Sequence, residues 1–174
     1  MSFSRLASRL SEPYIAATTL GVLGSAFFVV GNSTASLLGV LPYVTASGKT
    51  STVSEKLAGW KYSYDHGKRW FGSAAVLSSV AYATSAVLAP RTLKTPLWIA
   101  SAACFSVPAW TLTVMKSTNN SLIKLNETVS VTDKYVHESD VDTLISKWKR
   151  LNNVRIAIVT VAYGAGLGAL LLAF

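Results

Sequence analysis

Three short patterns in this 174-residue chain set chemically capable side chains at helical spacing. Trp60, Tyr64 and Gly67 fall at i, i+4 and i+7 and share one helix face. Pro108, Thr111, Met115, Thr118, Asn119 and Leu122 fall within an arc of about 100° on a second helix and its extension. Trp148, Asn152 and Arg155 share one face of a third. Aromatic, carboxamide and guanidinium groups are thereby brought to one depth of a helical bundle. Each has an ordinary alternative role. Trp60, Trp70, Trp98 and Trp148 suit interfacial anchors, Arg155 could snorkel to phosphate, and Asn119 and Asn152 could join helices by hydrogen bonds. Taken together, an arginine and two amides facing inward at the end of a membrane span need partners or a ligand.

The two histidines, His66 and His137, are the side chains that titrate near neutral pH without perturbation. On an unbroken helix His66 turns away from the Trp60 face and joins Tyr62 and Trp70. His137 lies in a connection among Glu138, Asp140 and Asp142. A histidine from each of two connections could hold a metal or a haem, but no HxxxH or HExxH spacing supports it. The single cysteine, Cys104, falls inside an apolar run and reads as a packing residue. No Walker, GxSxG or GxGxxG pattern is present.

These residues must be positioned by membrane helices. Residues 13–48, 70–90, 95–115 and 156–174 carry no charge, and a helix needs roughly 20 apolar residues to cross the hydrocarbon core. The first run is longer than the apolar region of a signal peptide, about 7–15 residues, and reads as a span with a helical or re-entrant extension. The expected architecture is an all-α, four-helix transmembrane bundle in one domain over residues 1–174. Its spans lie near 13–44, 70–89, 95–115 and 154–174, and its second and fourth helices extend beyond the membrane. A helix starting near Ser54 should run to Pro90. Pro108 should kink the third span. Ser139 and Asp142 fit a capping box that opens the last helix, and Gly164 with Gly168 offers a close helix contact, including one with a second copy of the chain.

Composition supports this reading: 51% of residues are hydrophobic and 14% charged, against about a quarter charged in soluble domains. The net charge of +8 comes from basic residues flanking apolar runs, which points to lipid headgroups and away from nucleic acid. With four spans, Arg5, Arg9, Arg91 and Lys94 lie on the side of the termini. Twelve basic residues, among them Lys49, Lys56, Lys68, Lys134, Lys149 and Arg155, lie on the other. The connections 45–69 and 116–153 are therefore expected in the cytosol, where the sequons at Asn119 and Asn126 stay unmodified.

Trp60-x-x-x-Tyr64-x-x-Gly67, Pro108-x-x-Thr111-Leu112-x-x-Met115-x-x-Thr118-Asn119-x-x-Leu122 and Trp148-x-x-Leu151-Asn152-x-x-Arg155 together resemble the anthrone oxygenase-like family, small four-span proteins of fungi and bacteria. Ser117 departs from the pattern, since relatives often carry proline there. The resemblance implies an oxygenase that converts a polyketide anthrone to an anthraquinone with molecular oxygen as co-substrate and no flavin or metal, in an endomembrane such as the endoplasmic reticulum of a fungus. On that basis Arg155, Asn152, Asn119 and Thr118 would hold substrate oxygens. Trp60, Tyr64 and Trp148 would form a slot for a planar aromatic molecule, and His66, His137 or Tyr64 would be the base. Two other readings stand beside it: a non-catalytic four-span scaffold, and a redox enzyme of the same fold using haem or a metal through His66 or His137.

Overall fold

The computed structural model describes residues 11–46, 51–132 and 136–174. Arg5, Arg9, Lys49 and Lys134, counted above in the charge asymmetry, lie outside the described residues. The described chain folds into six helices: α1 (Pro13–Leu38), α2 (Val40–Val44), α3 (Val53–Leu88), α4 (Arg91–Thr113), α5 (Lys116–Thr132) and α6 (Glu138–Leu172). The four long helices α1, α3, α4 and α6 form a bundle in which α1 and α4 each pack against both α3 and α6. Three stretches are long and apolar enough to cross a membrane, Pro13–Val44, Val53–Leu88 and Glu138–Leu172, and the bent pair α4–α5 makes a fourth if it counts as one span. The protein is thus a helical transmembrane bundle, and α3 and α6, at 36 and 35 residues, are longer than one crossing requires.

Local chemistry accounts for the helix ends. Thr52 caps α3 with a reciprocal capping box: its side chain accepts from the Glu55 N–H while Glu55 reaches back to the Thr52 N–H at 2.7 Å. Pro90, which cannot donate a backbone hydrogen bond, separates α3 from α4. Gly39 interrupts the first run with an extended conformation, splitting off α2 as the short extension. α4 stays helical through Pro108, and the bend comes later. The α4–α5 pair is bent by 51° at Val114 and Met115, where both N–H groups donate to Trp110 O, at 2.9 and 3.2 Å. This five-residue turn redirects the chain into α5.

The capping box expected at Ser139 does not form. α6 begins earlier, with His137 at its N-cap and no side-chain cap, because Asp142 is drawn elsewhere. The Lys56 ammonium, on a side chain only 10% exposed, lies 2.8 Å from Asp142 Oδ1 and 2.7 Å from Glu138 Oε1. These bonds, that to Asp142 the stronger, raise the Lys56 pKa above its ordinary value. A lysine whose folded pKa is raised stabilises fully below its unfolded pKa and loses that contribution as pH climbs through the folded value. Lys56→Met should therefore cost about 1 kcal/mol at neutral pH, the carboxylates being half exposed. The difference from wild type should narrow in alkaline unfolding titrations above about pH 10, as Lys56 loses its proton. A difference that persisted undiminished above that pH would refute the clasp.

Two buried clusters fill the bundle. The larger, around Phe28, Tyr82, Leu97, Cys104 and Val159, occupies the apolar length of the helices. Polar links cross it: Ser25 Oγ lies 2.8 Å from Tyr82 Oη, and Ser79 donates to Ser101 O at 3.0 Å. In lipid such packing and hydrogen bonding carry association, since no water is expelled. The smaller cluster, around Leu57, Trp60, Met115, Leu122, Ile145 and Trp148, joins the extended parts of α3 and α6 to α2 and α5. Gly164 and Gly168 have open space where a Cβ would point, whereas Gly166 faces Tyr82 directly. The close contact of α6 within the chain is thus made by Gly166.

Candidate functional site

Between the two clusters lies a cavity of about 810 Å3 lined by all four long helices, within the range of small-molecule sites, about 300–1,000 Å3. Its wall includes Tyr64, His66, Trp148, Asn152 and Arg155 from the residues singled out above, together with Gly67, Pro108 and Thr111. Leu77 and Leu112 also line it and are each 69% exposed, so the cavity reaches the outer surface of the bundle.

The helical period explains the inner wall. Trp148, Asn152 and Arg155 project from one face of α6 and are all buried. Arg155, 7% exposed, donates from Nη1 to Asn152 Oδ1 at 3.4 Å and stands over the Phe28 ring, 5.7 Å from its centroid. Its Nε has no hydrogen-bond partner, and no ion pair among the described residues uses its charge. It does not snorkel outward. Asn152 is held by α1: its Nδ2 donates to Asn32 Oδ1 at 3.0 Å and to Ser36 Oγ at 3.2 Å. Asn32 and Ser36 are site residues that the helical patterns did not single out. The available signal was a carboxamide in the middle of an uncharged run, which in a membrane needs a partner.

The aromatic residues divide. Trp60 is fully buried and stacks on Tyr64, centroids 5.2 Å apart, while meeting the edge of Trp148 at 6.3 Å. Trp60 thus backs the wall that Tyr64 and Trp148 present, and does not itself line the cavity. Trp70 and Trp98 are about half exposed, as membrane anchors would be. Thr118 and Asn119, at the start of α5, are buried but also lie off the cavity. Thr118 Oγ1, Asn119 Oδ1 and the Nε1 atoms of Trp60 and Trp148 have no hydrogen-bond partner. Burial also makes Asn119 a poor glycan acceptor.

The histidines separate as well. His66 stacks on Tyr62, with centroids 4.0 Å apart, and its Nδ1 lies 2.9 Å from Tyr62 O. A carbonyl only accepts, so Nδ1 carries the proton and Nε2 is left basic. Although turned from the Trp60 face, His66 lines the cavity. His137 does not. It caps the far end of α6, eleven residues and therefore about 16 Å of helix before Trp148. Among the described residues no three His, Cys, Asp or Glu side chains gather as a metal site.

The protein is thus a helical membrane bundle whose wall presents a buried guanidinium, a carboxamide pair and aromatic rings to one cavity. The anthrone oxygenase family matches residues 60–165, and the chain belongs to that family. Comparison with curated proteins and with solved structures returns no match.

Proposed function

We propose that the protein oxidises an anthrone, or a similar planar aromatic polyketide, with molecular oxygen inside this cavity. The observation that carries the reading is the Arg155 guanidinium, buried in the cavity wall with no carboxylate among the described residues to neutralise it. A buried positive charge of this kind favours the ligand state in which negative charge develops.

An anthrone bears an acidic methylene opposite its ketone, between two aromatic rings. His66 Nε2 takes a methylene proton, and the electron pair moves toward the ketone oxygen, which becomes an enolate held by Arg155, whose guanidinium is oriented by its bond to Asn152 Oδ1. The enolate passes one electron to dioxygen. The carbon radical and superoxide then combine in a new C–O bond, and protonation gives a hydroperoxide. Loss of the remaining C–H proton with cleavage of the O–O bond releases water and leaves the second ketone of the anthraquinone. One dioxygen supplies one oxygen atom to product and one to water, so the oxidant is the co-substrate itself. The protein's work is to hold the oxygen atoms, take the proton and keep bulk water from the enolate. Tyr64 and Trp148, braced from behind by Trp60, flatten the site for a fused-ring molecule.

On this reading the substrate enters from the membrane, the long connections face the cytosol as their basic residues imply, and the chemistry needs neither haem nor metal. Oxygen uptake by the purified protein with emodin anthrone tests it, with stoichiometric anthraquinone as the expected product. His66→Gln should lower the rate about 100-fold, with partial recovery as rising pH supplies solvent base, whereas Tyr64→Phe should remain active. The reverse pattern would make Tyr64 the base. A protein that consumes no oxygen with any anthrone would be better described as a scaffold.

A further inference from the structure

The cavity wall carries a second cation that the proposed reaction leaves unused. Lys149 follows Trp148 on α6 and donates from Nζ to Thr45 Oγ1 at 2.7 Å. Desolvation lowers its pKa, opposed by the field of Asp142. Lys149 forms no ion pair with Asp142 among the described residues, and the Asp142 carboxylate instead meets Lys56, at 2.8 and 3.0 Å. Around the rest of the cavity the charged lining groups are Lys68 and Arg155, with His66 beside them, and among the described residues no Asp or Glu lines the wall. An ammonium partly withdrawn from water with one neutral hydroxyl for company favours an anion that can complete its hydrogen bonds.

Spacing sets where that anion belongs. Lys149 and Arg155 are six residues apart, a rise of about 9 Å along α6, within the reach of a central-ring oxygen and an outer-ring carboxylate that each accept a hydrogen bond of about 2.8 Å. A planar ligand whose reacting oxygen meets Arg155 therefore can bring a substituent on an outer ring to the level of Lys149. We infer that Lys149 is a specificity residue, pairing with a carboxylate on the edge of the ligand remote from the oxygen that Arg155 holds. The assignment rests on the proposed occupancy of the cavity by a planar polycycle, and it narrows the substrate class to amphipathic aromatic acids.

Binding tests this without turnover. The full chain, in nanodiscs of phosphatidylcholine, is equilibrated with anthraquinone-2-carboxylate and with the neutral anthraquinone-2-carboxamide, neither of which bears an anthrone methylene. Wild type should bind the carboxylate about tenfold more tightly than the amide, the worth of one charge-assisted hydrogen bond. In Lys149→Met, and in Lys149→Gln, which can keep its bond to Thr45, the two affinities should come within about twofold of each other, as expected once that bond is gone. The amide's affinity should be unchanged in both variants, reporting an intact slot, and Lys149→Arg should retain the preference. Equal binding of the two ligands by wild type, or a preference that survives Lys149→Met, overturns the role of Lys149 while the amide's binding still upholds the slot. Failure of both ligands to bind wild type overturns slot and inference together. Adding phosphatidic acid to the nanodiscs separates the two sources of anionic oxygen: the preference should persist, and its loss would make a lipid phosphate the occupant and overturn the substrate assignment.

Discussion

Arg155→Ala should abolish oxygen uptake with emodin anthrone, lowering kcat about 100- to 1000-fold, the cost of removing one donor to a developing oxyanion. The loss should fall on kcat more than on KM, because the ketone oxygen becomes negative only after the proton has left. Helical content and thermal unfolding should change little. The guanidinium has no carboxylate partner among the described residues, and it is held by one long hydrogen bond to Asn152 and by the face of Phe28. Asn152 stays anchored to Asn32 and Ser36 without it. Arg155→Lys keeps the charge but loses the planar fork, so its rate should lie between the two. Undiminished turnover in the alanine variant would leave the buried charge without a catalytic role. A collapse of the helical signal would make it structural.

How far these features could be read from residues alone depends on their range in the chain. Helix faces are local: Trp148, Asn152 and Arg155 lie within eight residues of an unbroken helix, so periodicity placed them on one wall. The same arithmetic placed Trp60 beside Tyr64 but could not say which of them fronts the cavity, because depth is set by the neighbouring helices. His66 shows the converse, since it points away from the Trp60 face and still lines the cavity, which extends beyond that one face of α3. The Asn32–Asn152 pair joins residues 120 positions apart, and no local pattern records it. The Ser139 capping box failed for the same kind of reason, as Lys56 reached Asp142 across 86 positions. Uncharged runs made the spans legible, while the cavity is a gap between helices and has no sequence of its own.

Gly166→Leu should damage the bundle more than any other single change on α6, although GxxxG spacing draws attention to Gly164 and Gly168. A Cβ at Gly166 would collide with Tyr82 Oη, Cε1 and Cζ. The tyrosine cannot retreat, because the other helix against its ring is α1, where a Cβ at Gly21 would lie 2.7 Å from Tyr82 Cδ1. Its hydroxyl is also fixed, 2.8 Å from Ser25 Oγ. Relief must come from parting α3 and α6, an overpacking cost of about 3 kcal/mol, or roughly 6–12 °C in the unfolding temperature for a chain of this size. Gly164→Leu and Gly168→Leu point into open space and should leave the unfolding temperature of a detergent-solubilised monomer unchanged. Tyr82→Ala should recover part of the loss when combined with Gly166→Leu, a coupling expected only of residues in contact. If Gly164→Leu proves as harmful as Gly166→Leu, and more so at high protein-to-lipid ratio, then the outer face of α6 meets a second copy of the chain, and the GxxxG pair works between molecules.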